Sequence, residues 1–93
     1  MGGFQYVLDQ DARILFVDDD PILREFAKVN LTSDCTILDT AEDGAQALEM
    51  LERCSYDLIV SDLEMPRMDG FALLQAVRGT AATCHLPVVV ATV

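Results

Sequence analysis

The chain has 93 residues, room for one small domain, and its 52% hydrophobic and 24% charged residues are an ordinary globular mixture. A net charge of −10 and a pI near 4.1 argue against the basic face that a phosphate backbone needs, so direct nucleic-acid binding is not expected. No apolar run reaches membrane-span length, Met1–Gln10 lacks a signal-peptide pattern, and Cys35, Cys54 and Cys84 are an odd, scattered set, so no membrane partner and a cytoplasmic, reducing location are expected.

Met1–Asp11 shows no clear periodicity, although it contains Phe4, Tyr6, Val7 and Leu8; it reads as an N-terminal tail before a domain over residues 12–93. Arg13–Val17 is a short apolar run, read as a first strand, and it ends in Asp18-Asp19-Asp20. Asp20 suits an N-cap and Pro21 the first position of a helix reaching about Leu31. Ile22, Phe26 and Val29 lie on one stripe of that helix, with Leu23 and Ala27 beside it. Ser33-Asp34 interrupts the pattern, and Thr36–Thr40 reads as a second strand. Asp43-Gly44 opens a second helix, about Ala45–Cys54, apolar along Ala47, Leu48 and Leu51, with Glu49 and Arg53 spaced to pair on its exposed side. Leu58–Asp62 is a third strand, too short for a helix and β-branched, carrying one carboxylate, Asp62, at its C-terminal end. A loop with Pro66 follows, then Asp69 in position to cap a third helix over Phe71–Arg78. That helix is expected to turn Phe71, Leu74 and Val77 inward and to end with Gly79 at C′. Pro87 introduces a fourth strand, Val88–Thr92.

The order β-α-β-α-β-α-β, with apolar strands and amphipathic helices, predicts an α/β fold with a parallel sheet covered on both faces. Ligands of such sheets gather at the carboxyl ends of the strands. Asp18, Asp19 and Asp62 stand there. If strands one and three are neighbours, these carboxylates crowd together and oppose one another's ionisation. A hard divalent cation relieves the conflict, and Mg²⁺ suits two or three carboxylates. The competing explanation for Asp62 is a loop carboxylate capping the next helix, a task for which Asp69 is better placed.

Asp18-Asp19 after a first strand, Asp62 after a third, and Met65-Pro66-Arg67-Met68-Asp69-Gly70 just beyond together resemble the receiver domain of two-component response regulators, over about Arg13–Val93. The resemblance implies a flavodoxin-like, CheY-like doubly wound parallel sheet of strand order 2-1-3-4, with the family's fifth strand and last two helices missing from the 93 residues. It implies a phosphoprotein of a cytoplasmic phosphorelay, with a histidine kinase or phosphotransfer protein as partner and Asp62 as phosphoacceptor. Such a chain catalyses at most its own phosphorylation and dephosphorylation. Asp18, Asp19 and Asp62 would hold Mg²⁺, with the backbone carbonyl of Glu64 as a further ligand. Thr92 would be the hydroxyl residue that hydrogen-bonds the phosphoryl group and moves toward it; the competing explanation is a plain β-former at a strand end.

Two departures from the family accompany this. Val93 stands where the family usually has a small residue, and the fifth-strand Lys and the switch aromatic are not among these residues. No basic residue sits on a strand end to replace that Lys. Strand four would then be an edge, and Val88–Val93 is apolar and uncharged, so either a homodimer, by strand-four pairing or exchanged elements, or a longer parent chain that supplies the missing parts is expected. Two other classes compete. A haloacid-dehalogenase-type phosphatase also uses a strand-end Asp and Mg²⁺, but it wants Asp-x-Asp where this chain reads Asp62-Leu63-Glu64. A truncated receiver-like interaction module would bind a partner without phosphotransfer. Dinucleotide and P-loop glycine patterns are absent from the sequence.

Overall fold

Each of the three helices begins at an aspartate whose side chain accepts a hydrogen bond from the first helical turn. The computed structural model describes residues 12–32, 36–62 and 69–91. Along them run β1 (Ala12–Val17), α1 (Pro21–Leu31), β2 (Thr36–Ala41), α2 (Gly44–Arg53), β3 (Leu58–Asp62), α3 (Gly70–Arg78) and β4 (Val88–Ala91). Strand β3 has the expected bounds, β1 begins one residue earlier and β2 ends one residue later. The helices α2 and α3 start at Gly44 and Gly70, immediately after their caps Asp43 and Asp69. The expected last residue of β4, Thr92, lies outside the described residues, as does the tail Met1–Asp11. Among the described residues no helix is long and apolar enough to cross a membrane.

All strand pairings are parallel, and the order is β2-β1-β3-β4, as expected. Crossovers between parallel strands are right-handed, so stepping from β1 to β2 and then back across β1 to β3 puts successive helices on opposite faces. Two apolar layers result. On one face Ile14 and Leu38 pack with Ala27 of α1, flanked by Phe16, Leu31, Leu58 and Val60. On the other, Leu15, Val17 and Ile59 meet Ala47 of α2, Leu73 and Val77 of α3, and Tyr56 and Leu86 from the loops. Adjacent residues Ile14 and Leu15 enter different layers because strand side chains alternate. The α3–β4 connection is tied by Arg78, which donates to the carbonyls of Leu86 (2.5 Å) and Cys84 (3.1 Å).

Four expectations are corrected. The stripe of Ile22, Phe26 and Val29 on α1 faces outward, with exposures of 77%, 65% and 73%. The sheet-facing contact is Ala27 instead, about 100° around the helix from Phe26. Helix α3 is rotated from the expected face: Gly70, Leu73 and Val77 are buried, an i, i+3, i+7 row, while Phe71 is exposed. Glu49 and Arg53 form no ion pair; among the described residues the ion pair is Arg13–Asp39. Gly79 is the C-cap of α3 itself, in right-handed conformation, and its N–H reaches the Gln75 carbonyl at 2.9 Å.

Candidate functional site: an acidic cluster at the switch point

The chain leaves β1 toward α1 on one face and β3 toward α3 on the other. The carboxyl ends of these neighbouring strands are therefore a switch point of the sheet, and the crevice at such a point is where open α/β sheets take ligands. The β1–β3 register pairs Val17 with Ser61, so Asp18 and Asp62 are the next residues on two strands separated by about 4.8 Å. Carboxylate oxygens of Asp18, Asp19 and Asp62 lie within 4.8 Å of one another. Asp18 is buried, Asp62 half-buried and Asp19 exposed, so the cluster opens to solvent on one side.

The backbone holds Asp18 closely. Its N–H donates to the carbonyl of Ala41 at 3.1 Å, which anchors the strand end to β2. Its Oδ1 accepts the N–H of Asp20 at 2.9 Å, and its carbonyl oxygen accepts the Arg24 guanidinium at 2.7 Å. Asp20 in turn caps α1 by accepting the N–H of Ile22 at 2.9 Å, with Pro21 at the helix start. On the β3 side, the buried Ser61 hydroxyl donates to the Asp62 carbonyl at 3.0 Å. Burial pushes the Asp18 carboxyl above the ordinary carboxylate range; the Asp20 N–H works against that shift, and the charges of Asp62, Asp19 and Asp20 add to it.

The structure thus brings together Asp18, Asp19 and Asp62 from elements far apart in sequence. Glu64 and Thr92 lie outside the described residues; Ala91, which precedes Thr92, is the register partner of Asp62. The residue missed from the sequence is Arg24. Its signal was available, since a long side chain in the first turn of a helix leans back toward the N-terminus, here toward the acidic loop. The donor set is all carboxylate oxygen, close together and part-exposed. It fits a hard divalent cation such as Mg²⁺, which binds carboxylate oxygens and keeps several waters.

A second polar network lies at the opposite end of the sheet. Asp39 accepts the Tyr56 hydroxyl at 2.6 Å and the Arg13 Nε at 3.1 Å, and the Arg13 guanidinium lies 5.4 Å from the Tyr56 ring centre. Burial, with the Asp39 hydrogen bond second, pushes the Tyr56 phenol far above its ordinary range. Asp57 completes the tie by accepting the Arg13 N–H at 2.8 Å and donating its own N–H to the Arg13 carbonyl at 2.7 Å. These bonds join β1, β2 and the loop before β3.

The sequence profile of the response regulator receiver domain matches residues 14–93. The chain is 44% identical over 82 residues to the chemotaxis protein CheY of Pseudomonas aeruginosa, a match covering 86% of this chain and 65% of that protein. It is 42% identical over 81 residues to the sensor histidine kinase RcsC of Salmonella typhimurium, covering 87% of this chain and 8% of that one. Among solved structures, the response regulator protein TrrA of Thermotoga maritima in complex with Mg²⁺-BeF is similar, with a TM-score of 0.79 and 34% identity over 87% of this chain and 69% of that chain. The chain spans about two thirds of the length of the chemotaxis protein it matches.

Proposed function

This chain belongs to the response regulator receiver domain family of two-component signalling, and we propose that Asp62 is its phosphoacceptor, charged by a phosphohistidine of a histidine kinase or phosphotransfer protein. The observation that supports this is the convergence of Asp18, Asp19 and Asp62 within 4.8 Å at the switch point of the sheet. A carboxylate oxygen of Asp62 attacks phosphorus, the P–N bond breaks, and the imidazole nitrogen keeps the electron pair. The product is an acyl phosphate on Asp62. In-line phosphoryl transfer depends on placement and on offsetting negative charge, because the transferred group spreads charge over its oxygens. Asp18, Asp19 and Asp62 would hold Mg²⁺, with the Glu64 carbonyl as a further ligand; when bound, the cation offsets the charge of the carboxylates and of the phosphoryl oxygens. The buried Asp18 is held by hydrogen bonds to Ala41, Asp20 and Arg24. Thr92 is the proposed hydrogen-bond donor to the phosphoryl group. In this reading the chain is a signalling module that modifies itself and turns over no external substrate, in the cytoplasm, with no direct contact to nucleic acid. It includes self-association through β4.

A titration with Mg²⁺, and then with beryllofluoride as the phosphoryl mimic, tests the site. Wild type is expected to bind Mg²⁺ weakly and to take up beryllofluoride in its presence. Asp19→Asn with Asp62→Asn is expected to lose both, with the fold intact by circular dichroism. Unchanged Mg²⁺ affinity in that double variant contradicts the assignment.

A further inference from the structure

Three consecutive acids, Asp18-Asp19-Asp20, form the loop between β1 and α1. Charges so spaced repel one another, and a loop left to itself relieves repulsion by spreading. Here Asp18 and Asp19 instead lie with Asp62 inside 4.8 Å. Among the described residues, one cation bridges the loop back to the helix it leads into. Arg24 donates its backbone N–H to the carbonyl of Asp20 at 3.1 Å and its guanidinium to the carbonyl of Asp18 at 2.7 Å. One residue thus grips the loop at both ends of the acidic run. The guanidinium bond is charge-assisted, short and partly shielded from water. Among the described residues Arg24 is the cation in contact with this loop: Arg13 is engaged by Asp39 and Arg78 by the carbonyls of Cys84 and Leu86.

Arg24 has donors and no acceptor, so it cannot bind a metal itself. We propose that Arg24 is a positioning residue of the acidic site, acting through the Asp18 carbonyl to fix where the loop presents the Asp18 and Asp19 carboxylates to a divalent cation. This rests on the reading that these carboxylates hold Mg²⁺. Groups that orient a ligand residue from behind are worth about tenfold or more in metal affinity when removed. Arg24 has a helical backbone and reaches the Asp18 carbonyl through the length of its side chain.

The test uses the whole ¹⁵N-labelled chain and Mg²⁺ as the probe, with affinity read from amide shifts. Arg24→Gln is expected to weaken Mg²⁺ binding about tenfold. Arg24→Lys retains charge and can donate to the same carbonyl, so it is expected to restore most of that loss. Lys28→Gln removes an equal charge from the same helix without touching the loop, and is expected to leave affinity at the wild-type value. In wild type, the Arg24 side-chain N–H signal is expected to shift on the same Mg²⁺ isotherm as the Asp19 amide; this readout stands even if Arg24→Gln fails to fold. Wild-type affinity in Arg24→Gln, equal weakening by Lys28→Gln, no rescue by Arg24→Lys, or an Arg24 signal indifferent to Mg²⁺ overturns the proposal while leaving the carboxylate site intact. A folded wild type that binds no Mg²⁺ overturns both.

Discussion

Asp18 is the residue on which the opposing demands of fold and site meet. It is 6% exposed, yet it belongs to a cluster whose proposed use, holding a cation, requires ionised carboxylates. Burial first, then the neighbouring acids, raise its folded pKa above the unfolded value of 3.8. A carboxyl shifted upward favours the fold when protonated. That contribution is complete below pH 3.8 and is lost as pH rises through the folded pKa, so at neutral pH the ionised group opposes folding. Asp18→Asn keeps the Oδ1 acceptor for the Asp20 N–H and removes the charge. The metal-free variant is expected to melt above wild type at pH 7, with the gain disappearing as pH falls below 3.8, while Mg²⁺ stabilises wild type more than the variant. Thermal melts across pH check this; a variant that melts lower at pH 7 in chelator contradicts it. At this scale the acids were legible in the sequence because each stands at the end of an apolar run, and strand ends converge in a parallel sheet. Arg24 was legible only through the backward lean of a first-turn side chain toward the loop before it. The Tyr56–Asp39–Arg13 network was not, since its partners are chosen by side-chain reach across elements rather than by local spacing.

Among the elements, existence and type were legible almost throughout, because short β-branched runs and aspartate-capped helices are local signals. Asp20, Asp43 and Asp69 each cap the helix that follows. Facing was less legible. The three-to-four spacing of Ile22, Phe26 and Val29 shows that they share a side of α1, but spacing alone does not say which side meets the sheet; the smaller Ala27 does. Phe71 misled in the same way, with Leu73 taking the buried row on α3. Strand β4 carries the element-scale prediction. It is last in the sheet order among the described strands, it is Val88-Val89-Val90-Ala91, and Val89 is 50% exposed. An apolar edge without charge is a template for a second strand. The 93-residue chain is expected to run as a dimer in light scattering at micromolar concentration, and Val89→Lys, a charge on the edge, is expected to shift it to monomer. A monodisperse wild-type monomer contradicts the pairing.

For the molecule as a whole, one topological fact organises the rest. Because β1 and β3 are neighbours while their chains depart to opposite faces, the two strands that end in acid deliver their carboxylates to one crevice. The Tyr56–Asp39–Arg13 clamp at the far end keeps β1 and β2 in register with the segment leading to β3. A chain of net charge −10 concentrates further negative charge at that crevice, so a cation there is the natural complement and a dianionic phosphodonor is repelled without one. The central claim is that this crevice makes Asp62 a phosphoacceptor. Intact mass after incubation with acetyl phosphate and Mg²⁺ measures it most directly. The account predicts one phosphoryl adduct, located on the peptide containing Asp62, dependent on Mg²⁺, and lost in Asp62→Asn. An unmodified chain under these conditions, or an adduct that persists in Asp62→Asn, would contradict it.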